Sequence, residues 1–425
     1  MLPSDPKYSA YIGVLRDHLK PAMGCTEPIC VAYAAAVAAR ALGARPEKVR
    51  VSASGNMIKN ARVVTVPNTG GRKGIDAACA AGIIAGRPEL ELQVISEVTD
   101  AQRSAIDEML AAGIIKVVYN PDARLLDVLV EMEGQGHTAE ARIVDRHTNV
   151  VLIRRDGQTM LSRFIPEEST EVPENEKMLS IQDIFDFADS CRIEDILPVL
   201  EPQVRNNGAI ALEGMTGKWG NAIGRILLDT YGSEDVKIRA KAYAAAGSDA
   251  RMSGCEMPVV INSGSGNQGI TVSVPVMEYA RSMDIPEERM YRALALSNLT
   301  AIHLKAQIGC LSAYCGAVSA GSAAGAGIAY LCGGGLYEIN HTIVNTLAIL
   351  SGTICDGAKS SCAAKIAESV DAAIIGYQMT LAGKQFRDGE GIIKKGVENT
   401  IANIGRLGRD GMRQTEEEIL QMMMS

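Results

Sequence analysis

The residues best suited to chemistry are thiols near the C-terminal end. Cys355 and Cys362 stand seven residues apart, in a stretch that reads Cys355-Asp-Gly-Ala-Lys-Ser-Ser-Cys362, and Cys310 follows Gly309 upstream. On a helix the first two would be nearly two turns apart and share a face. A loop through Gly357, Ser360 and Ser361 would bring them together equally well. Three thiolates are a protein's share of a [4Fe–4S] cluster with one iron left open. Such an iron is a Lewis acid that holds a substrate oxygen or sulfur while a base takes a proton. The spacing matches neither a ferredoxin run nor a paired zinc ribbon. The competing reading is packing, because cysteine is often a small buried apolar residue.

A second thiol with chemical promise is Cys25, in Gly24-Cys25-Thr-Glu-Pro28 just before an apolar helix. Thr26 or Glu27 suits the N-cap and Pro28 the first turn. The positive end of that helix would lower the pKa of the thiol, making it a base or nucleophile. A buried structural thiol is the alternative. Two glycine-rich loops run into helices, Pro67–Gly74 and Asn262–Ile270, and each could offer backbone N–H groups to an anion such as a carboxylate. Their candidates for substrate contact are Asn68, Thr69 and Gly70 in the first loop, and Ser263, Gly264 and Asn267 in the second; Lys59 is a further one. Neither loop has the Walker pattern, which argues against a nucleotide. Both place a Gly-Ile pair after an Asn/Ser/Gly turn, a faint internal echo, and facing each other they would form a polar pocket for an amino acid. Tight strand-to-helix turns are the plainer reading.

The other histidines and cysteines read as structural. His303 would share a helical face with Cys310, but a lone histidine is more often a hydrogen-bonded core residue. His137 and His147 read as solvated turn residues. Cys310 and Cys315 are about 140° apart on a helix and so should not share a site. Cys315, Cys332, Cys30, Cys79, Cys191 and Cys255 read as packing.

The elements that must position these groups fall into four parts. Residues 1–88 are expected to begin a helical catalytic domain, with helices near 8–20, 29–39 and 75–85 and strands over Val49–Val66. Residues 89–165 read as a small α/β insertion: strands Leu90–Ile95, Ile114–Tyr119, Leu126–Met132, Ala139–Val144 and Asn149–Arg154, with a helix at about 101–112. An exposed, Glu-rich linker covers 166–178. Residues 179–425 are helical and carry the cluster cysteines. The expected class is therefore α+β, mainly α, with a Gly/Ala-rich helical core.

Composition narrows the field. The 425-residue chain has 47% hydrophobic and 22% charged residues, as soluble globular proteins do. A net charge of −8 and the absence of a basic run exclude a nucleic-acid partner. Aromatics make up only 4%, so the core must rest on close packing of small side chains. Ten cysteines are too sparse for a disulfide scaffold, and the N-terminus has no apolar signal region, which together point to the cytoplasm. The uncharged run from Ala306 to Tyr337 apart from its ends is dominated by Gly, Ala and Ser, and reads as a buried core helix rather than a membrane segment. A homo-oligomer is compatible with the sequence.

Taken in order, several blocks resemble the L-cysteine desulfidase family, itself akin to the α chain of bacterial iron–sulfur L-serine dehydratases. They are Gly24–Pro28, Ser54–Asn60, Val66–Gly70, Ser263–Gly269, Gly309-Cys310 and Cys355 to Cys362. The likeness spans nearly the whole chain. It implies a pyridoxal-independent lyase whose [4Fe–4S] cluster is held by Cys310, Cys355 and Cys362, with Cys25 as proton acceptor. The implied reaction is α,β-elimination on L-cysteine, giving sulfide, ammonia and pyruvate. The short gap between the last two thiols favours the desulfidase side, as does the lack of a recognisable β domain. The same chemistry on L-serine or another β-substituted amino acid is the near alternative. A cluster-bearing binding or redox-sensing protein without turnover is the alternative of another class.

Overall fold

The computed structural model describes residues 1–165, 172–309 and 311–424. Asp5 accepts from Lys7 N and starts α1 (Pro6–His18). Strand β1 (Pro21–Met23) leads into α2 (Thr26–Leu42), followed by β2 (Lys48–Ala53), α3 (Gly55–Ala61) and α4 (Gly74–Ala85). After α5 (Asp100–Ala111) come β3 (Ile115–Tyr119), β4 (Asp127–Gly134), β5 (His137–Val144), β6 (Val150–Arg155) and β7 (Gln158–Ser162). Next are α6 (Glu174–Lys177), α7 (Ile181–Ser190), α8 (Ile193–Gly214), α9 (Ile223–Tyr231) and α10 (Val236–Met252). Strand β8 (Pro258–Val260) precedes α11 (Gly266–Ser282), α12 (Glu287–Ile308), α13 (Gly316–Leu331) and α14 (Leu336–Ile349). The chain closes with α15 (Cys362–Leu381), α16 (Val397–Arg406) and α17 (Arg413–Met424). The class is α+β, mainly α, as the sequence led us to expect.

Helix α13 forms the centre of the helical body, packed by α11, α12, α14 and α15. Its glycines allow this. A Cβ at Gly321 would lie 2.7 Å from Ser369 O, and one at Gly327 2.9 Å from a Val276 methyl. Val318 to Leu331 are buried without a break. No helix among the described residues is long and apolar enough to cross a membrane. Helix α2 is likewise buried along most of its length, between α4 and strands β4 to β6. Gly82 of α4 approaches it so closely that a Cβ would sit 2.1 Å from Ala32 O.

The six-stranded sheet runs β3-β2-β4-β5-β6-β7, with only the β2–β3 pair parallel. It draws on chain from either side of residue 89, because β2 lies between β3 and β4. A second, two-stranded pairing joins β1 to β8, with Pro21 opposite Val260. That pairing brings the segments before α2 and α11 side by side.

Four local expectations are corrected. Leu90–Ile95 is not a strand: Pro88–Gln93 forms 3-10 turns, with Pro88 presetting the first turn and Glu91 at φ 46° breaking extension. The block after β2 is helical, because Ser54 accepts from Met57 N at 3.3 Å and caps α3. Strand β7 went unforeseen, since it is mostly exposed at the sheet edge; the Asp156-Gly157 turn, with φ of 48° and 76°, builds its hairpin. Of the expected exposed linker, 166–171 lie outside the described residues. Glu176, in the remainder, is buried against His18 at 3.0 Å.

Candidate functional site

Four helix N-termini surround one cavity of about 120 Å³, those of α2, α11, α13 and α15. Their lining residues include Cys25, Ser265, Cys315 and Cys362. Each N-terminus carries unpaired N–H groups and a partial positive charge, so the cavity suits anionic occupants.

On one wall stand Cys315, Cys355 and Cys362. The link between them is largely backbone. Tyr314 and Ile354 form an antiparallel bridge, Cys315 N donates to Thr353 O at 3.3 Å, and Cys355 N donates to Ala313 O at 2.6 Å. Cys362 is the first residue of α15, so the stretch from Cys355 is a loop and not a helix. Gly357 presses that loop onto α3: a Cβ there would lie 2.6 Å from Lys59 O. Burial, then the neighbouring Cys355, push the Cys315 thiol up to about 12. Cys362 is raised for the same two reasons. Lys365 closes this wall, donating to Ile354 O at 2.9 Å and to Asp356 Oδ1 at 2.6 Å. Burial opposes ionisation of Asp356, yet Lys359 and Lys365 outweigh it and hold the carboxyl at about 2.

The facing wall starts at Cys25, which is itself the N-cap of α2, in place of Thr26 or Glu27. Its Sγ donates to Glu27 Oε2 at 3.2 Å. Thr26 Oγ1 spans from Glu27 Oε2 (3.2 Å) to Gly264 O (2.8 Å), and Asn60 Nδ2 donates to Glu27 Oε1 at 3.3 Å. The buried His147 directs Nε2 at Glu27 Oε1 from 3.9 Å, too far for a hydrogen bond but close enough for charge. Burial would raise the Glu27 carboxyl; His147 and the Cys25 thiol outweigh it and hold the group at about 2. Cys25 shifts the other way. Burial and then the Glu27 carboxylate hold its thiol above the usual range, and Arg251 offsets them only in part. The expected lowering by the helix terminus is therefore overturned.

The predicted residues divide. Cys25, Cys355, Cys362, Ser263, Gly264 and Asn267 line the cavity. Cys310 lies outside the described residues. Asn68, Thr69 and Gly70 do not line it: Asn68 Nδ2 donates to Ile95 O (2.8 Å) and Ser96 O (3.2 Å), and Thr69 Oγ1 to Val66 O (2.7 Å). Lys59 is buried and its ammonium pairs with Glu416 of α17. His303 is a core residue bonded to Glu398 at 2.7 Å, as expected.

Sequence reasoning missed Cys315, Glu27, His147, Arg251, Gln268 and Lys305 as lining groups. Cys315 was set aside on a helical-wheel argument, but Gly309 ends α12 at φ 100° and no helix joins positions 310 and 315. A usable signal was present: Cys315-Gly316 opens a Gly/Ala-rich helix much as Cys25 opens α2. His147 was read as a solvated turn residue, and it is instead buried, reaching the cavity from the loop between β5 and β6.

A wider cleft of about 760 Å³ shares His147, Ser263, Gly264, Lys305, Leu311 and Ser312 with the cavity and gives it a route to solvent. Among the described residues, no three His, Cys, Asp or Glu side chains are grouped to hold a single metal ion.

The family profile of the serine dehydratase alpha chain matches residues 89–421. This chain belongs to the serine dehydratase alpha chain family. The chain is also similar over nearly its whole length to proteins named "UPF0597". One from Desulfitobacterium hafniense is 53% identical over 421 residues, covering 99% of this chain and 98% of the relative. One from Lachnoclostridium phytofermentans is 46% identical, covering 98% and 100% respectively, and one from Treponema denticola is 41% identical, covering 98% of each. A serine dehydratase alpha chain relationship suggests a lyase of the dehydratase type. The matched range holds the thiol wall and His147, while Cys25 and Glu27 lie before it.

Proposed function

We propose that the protein is a pyridoxal-independent iron–sulfur lyase that eliminates sulfide from L-cysteine, leaving pyruvate and ammonia. The observation that carries this reading is the meeting of three thiols and a fourth, separately held Cys25 in one cavity ringed by helix N-termini. The donor set fits a [4Fe–4S] cluster with one open iron. Thiolates of a cluster each take a different iron, so they need not converge on one point as ligands of a single ion do. Burial holds Cys315 and Cys362 protonated, and a metal that displaces those protons removes the penalty. Cys315, Cys355 and Cys362 are the ligands this reading favours, with Cys315 in the role first given to Cys310. When bound, such a cluster supplies a Lewis acid for a substrate oxygen or sulfur.

The chain's own groups would do the rest. Cys25 is the base for the substrate α-proton once its thiol has given up its own proton to solvent. The Glu27 carboxylate, 3.2 Å away, is held too acidic to keep that proton and instead orients the sulfur. Because the resting thiol is held above its ordinary range, the base form grows as pH rises. The eliminated aminoacrylate tautomerises and hydrolyses in solution. L-Serine is the second substrate reading, favoured by the family match itself.

Anaerobic purification with iron and sulfide analysis, followed by sulfide and ammonia assays on L-cysteine and ammonia assays on L-serine, tests the proposal. About four irons per chain with sulfide release from cysteine is the expected result. Ammonia from serine alone would move the assignment to a dehydratase. Iron-free protein after anaerobic reconstitution would sink the cluster reading.

A further inference from the structure

Arg251 is a buried charge of the cavity for which no counter-ion is found among the described residues. It lies near the end of α10 and is 2% exposed. Room for it comes from Gly266 at the start of α11, where a Cβ would fall 2.2 Å from Arg251 Nε. Its Nη1 donates to Asn267 Oδ1 at 2.9 Å, a neutral acceptor that also takes the Ser248 hydroxyl at 3.2 Å. Its Nε has no partner. Among the described residues no ion pair engages it, and the other contact of its Nη1 is the uncharged Met252 sulfur at 3.5 Å. Glu27, the acidic residue of the lining, is already engaged by Cys25, Thr26 and Asn60.

An unpaired buried guanidinium is costly, and arginine cannot escape the cost by losing its proton. The N-termini of α2 and α11 add positive potential on the same side. Gln268 Oε1, also buried and lining the cavity, has no partner and is an acceptor suited to an N–H donor beside the anion. We infer that Arg251 receives the carboxylate of the ligand, so that the site takes a small carboxylic acid with an adjacent donor, an α-amino acid among them. This rests on the proposed lyase reading only for the identity of the amino acid. The fork of the guanidinium matches a carboxylate and not an amide, whose NH₂ would face donors.

Binding of unreactive probes tests this without turnover. L-Alanine, L-alaninamide and propionate have no β leaving group, and each is titrated calorimetrically into iron-loaded protein under anaerobic conditions. The wild-type protein should bind alanine and propionate, with alanine preferred over its amide by ~10-fold or more. Arg251→Met should abolish that preference while keeping the iron content and the melting temperature close to wild type. Arg251→Lys should retain part of it. Should Arg251→Met fail to fold, Asn267→Ala, which frees the guanidinium from its neutral acceptor, should weaken alanine binding while leaving the amide unaffected. An undiminished preference in Arg251→Met, loss of iron in place of preference, or a wild-type protein indifferent to the carboxylate would each overturn the assignment. Arg251-dependent binding without turnover of cysteine or serine would keep this inference and end the lyase proposal. Turnover with Arg251-independent binding would do the reverse.

Discussion

The two walls of the cavity hold similar side chains by different means. The thiols of Cys315 and Cys355 are fixed by a short backbone ladder between the 313–315 and 353–355 segments. Cys25 is set by side-chain contacts and charge, with Glu27, Asn60 and His147 drawn from α2, α3 and the β5–β6 loop. Both walls begin at helix N-termini, and on both burial prevails. A helix terminus is worth about 0.3–1 kcal/mol and up to ~2 in buried settings, roughly one pKa unit, whereas full burial moves a group by up to ~3–5 units. A helix terminus alone does not make a thiolate. What differs is the remedy: on the proposed reading a metal replaces the protons of the thiol wall, whereas the Cys25 thiol must lose its proton to solvent beside a carboxylate too acidic to keep it.

The largest expected effects come from breaking that division. Cys315→Ala, Cys355→Ala and Cys362→Ala should each lose bound iron and all turnover, read by iron analysis beside the lyase assay. Cys25→Ala should keep its iron and lose about 10²–10⁴-fold in kcat. Cys310→Ala sharpens the comparison, because full iron content there would leave Cys315 as the third ligand. Iron retained in Cys315→Ala and lost in Cys310→Ala would restore the first assignment.

Charge on the other wall predicts a pH effect. A raised thiol pKa means that the base form is scarce at low pH and that kcat/KM climbs as pH rises toward the Cys25 ionisation. Burial is the larger cause and Glu27 the second. Glu27→Gln removes the second, so the ascending limb of the pH–rate profile should move to lower pH. An unmoved limb would mean that some other group sets it.

How far these walls were legible follows from what each depends on. The mainly helical class, the core placement of the Gly/Ala run and the helix after Cys25 follow from local pattern, as do strands β3 to β6. The thiol wall was half legible. Cys355 and Cys362 are close in sequence, but Cys315 joins them only through the bridge between Tyr314 and Ile354, a pairing across 40 positions that no periodicity reveals. Glu27 was read as a cap, although its chemistry comes from contacts with Asn60 and His147. Arg251 was invisible because a buried arginine looks like any other until its partners can be counted.

Lys59 shows the same limit from the opposite side. It was a further candidate for substrate contact, but it turns to Glu416 and ties α3 to α17. Lys59→Met should lower thermal stability by about 1–3 kcal/mol, since Glu416 retains some exposure to water. Substrate KM and iron content should stay as in the wild type; a raised KM with unchanged melting would return Lys59 to the site.

The two glycine-rich loops supply the smallest and most discriminating test. They look alike in sequence, and both turn through a non-glycine residue in the left-handed region, Asn68 at φ 61° and Ser263 at φ 48°. The second faces the cavity, held by Asn262 Nδ2 donating to Asn298 Oδ1 at 2.9 Å. The first faces away and braces the turn before Cys25: a Cβ at Gly24 would strike Pro67 at 2.3 Å. Asn68→Ala should therefore cost about 1–3 kcal/mol of stability through two lost hydrogen bonds, with KM unchanged. Asn68→Gly, which relieves the left-handed strain, should cost less. Ser263→Ala is the counterpart, and it should raise KM with little change in melting temperature. Equal behaviour of the two loops in KM would mean that the first reaches the ligand after all, and that the likeness between them is functional.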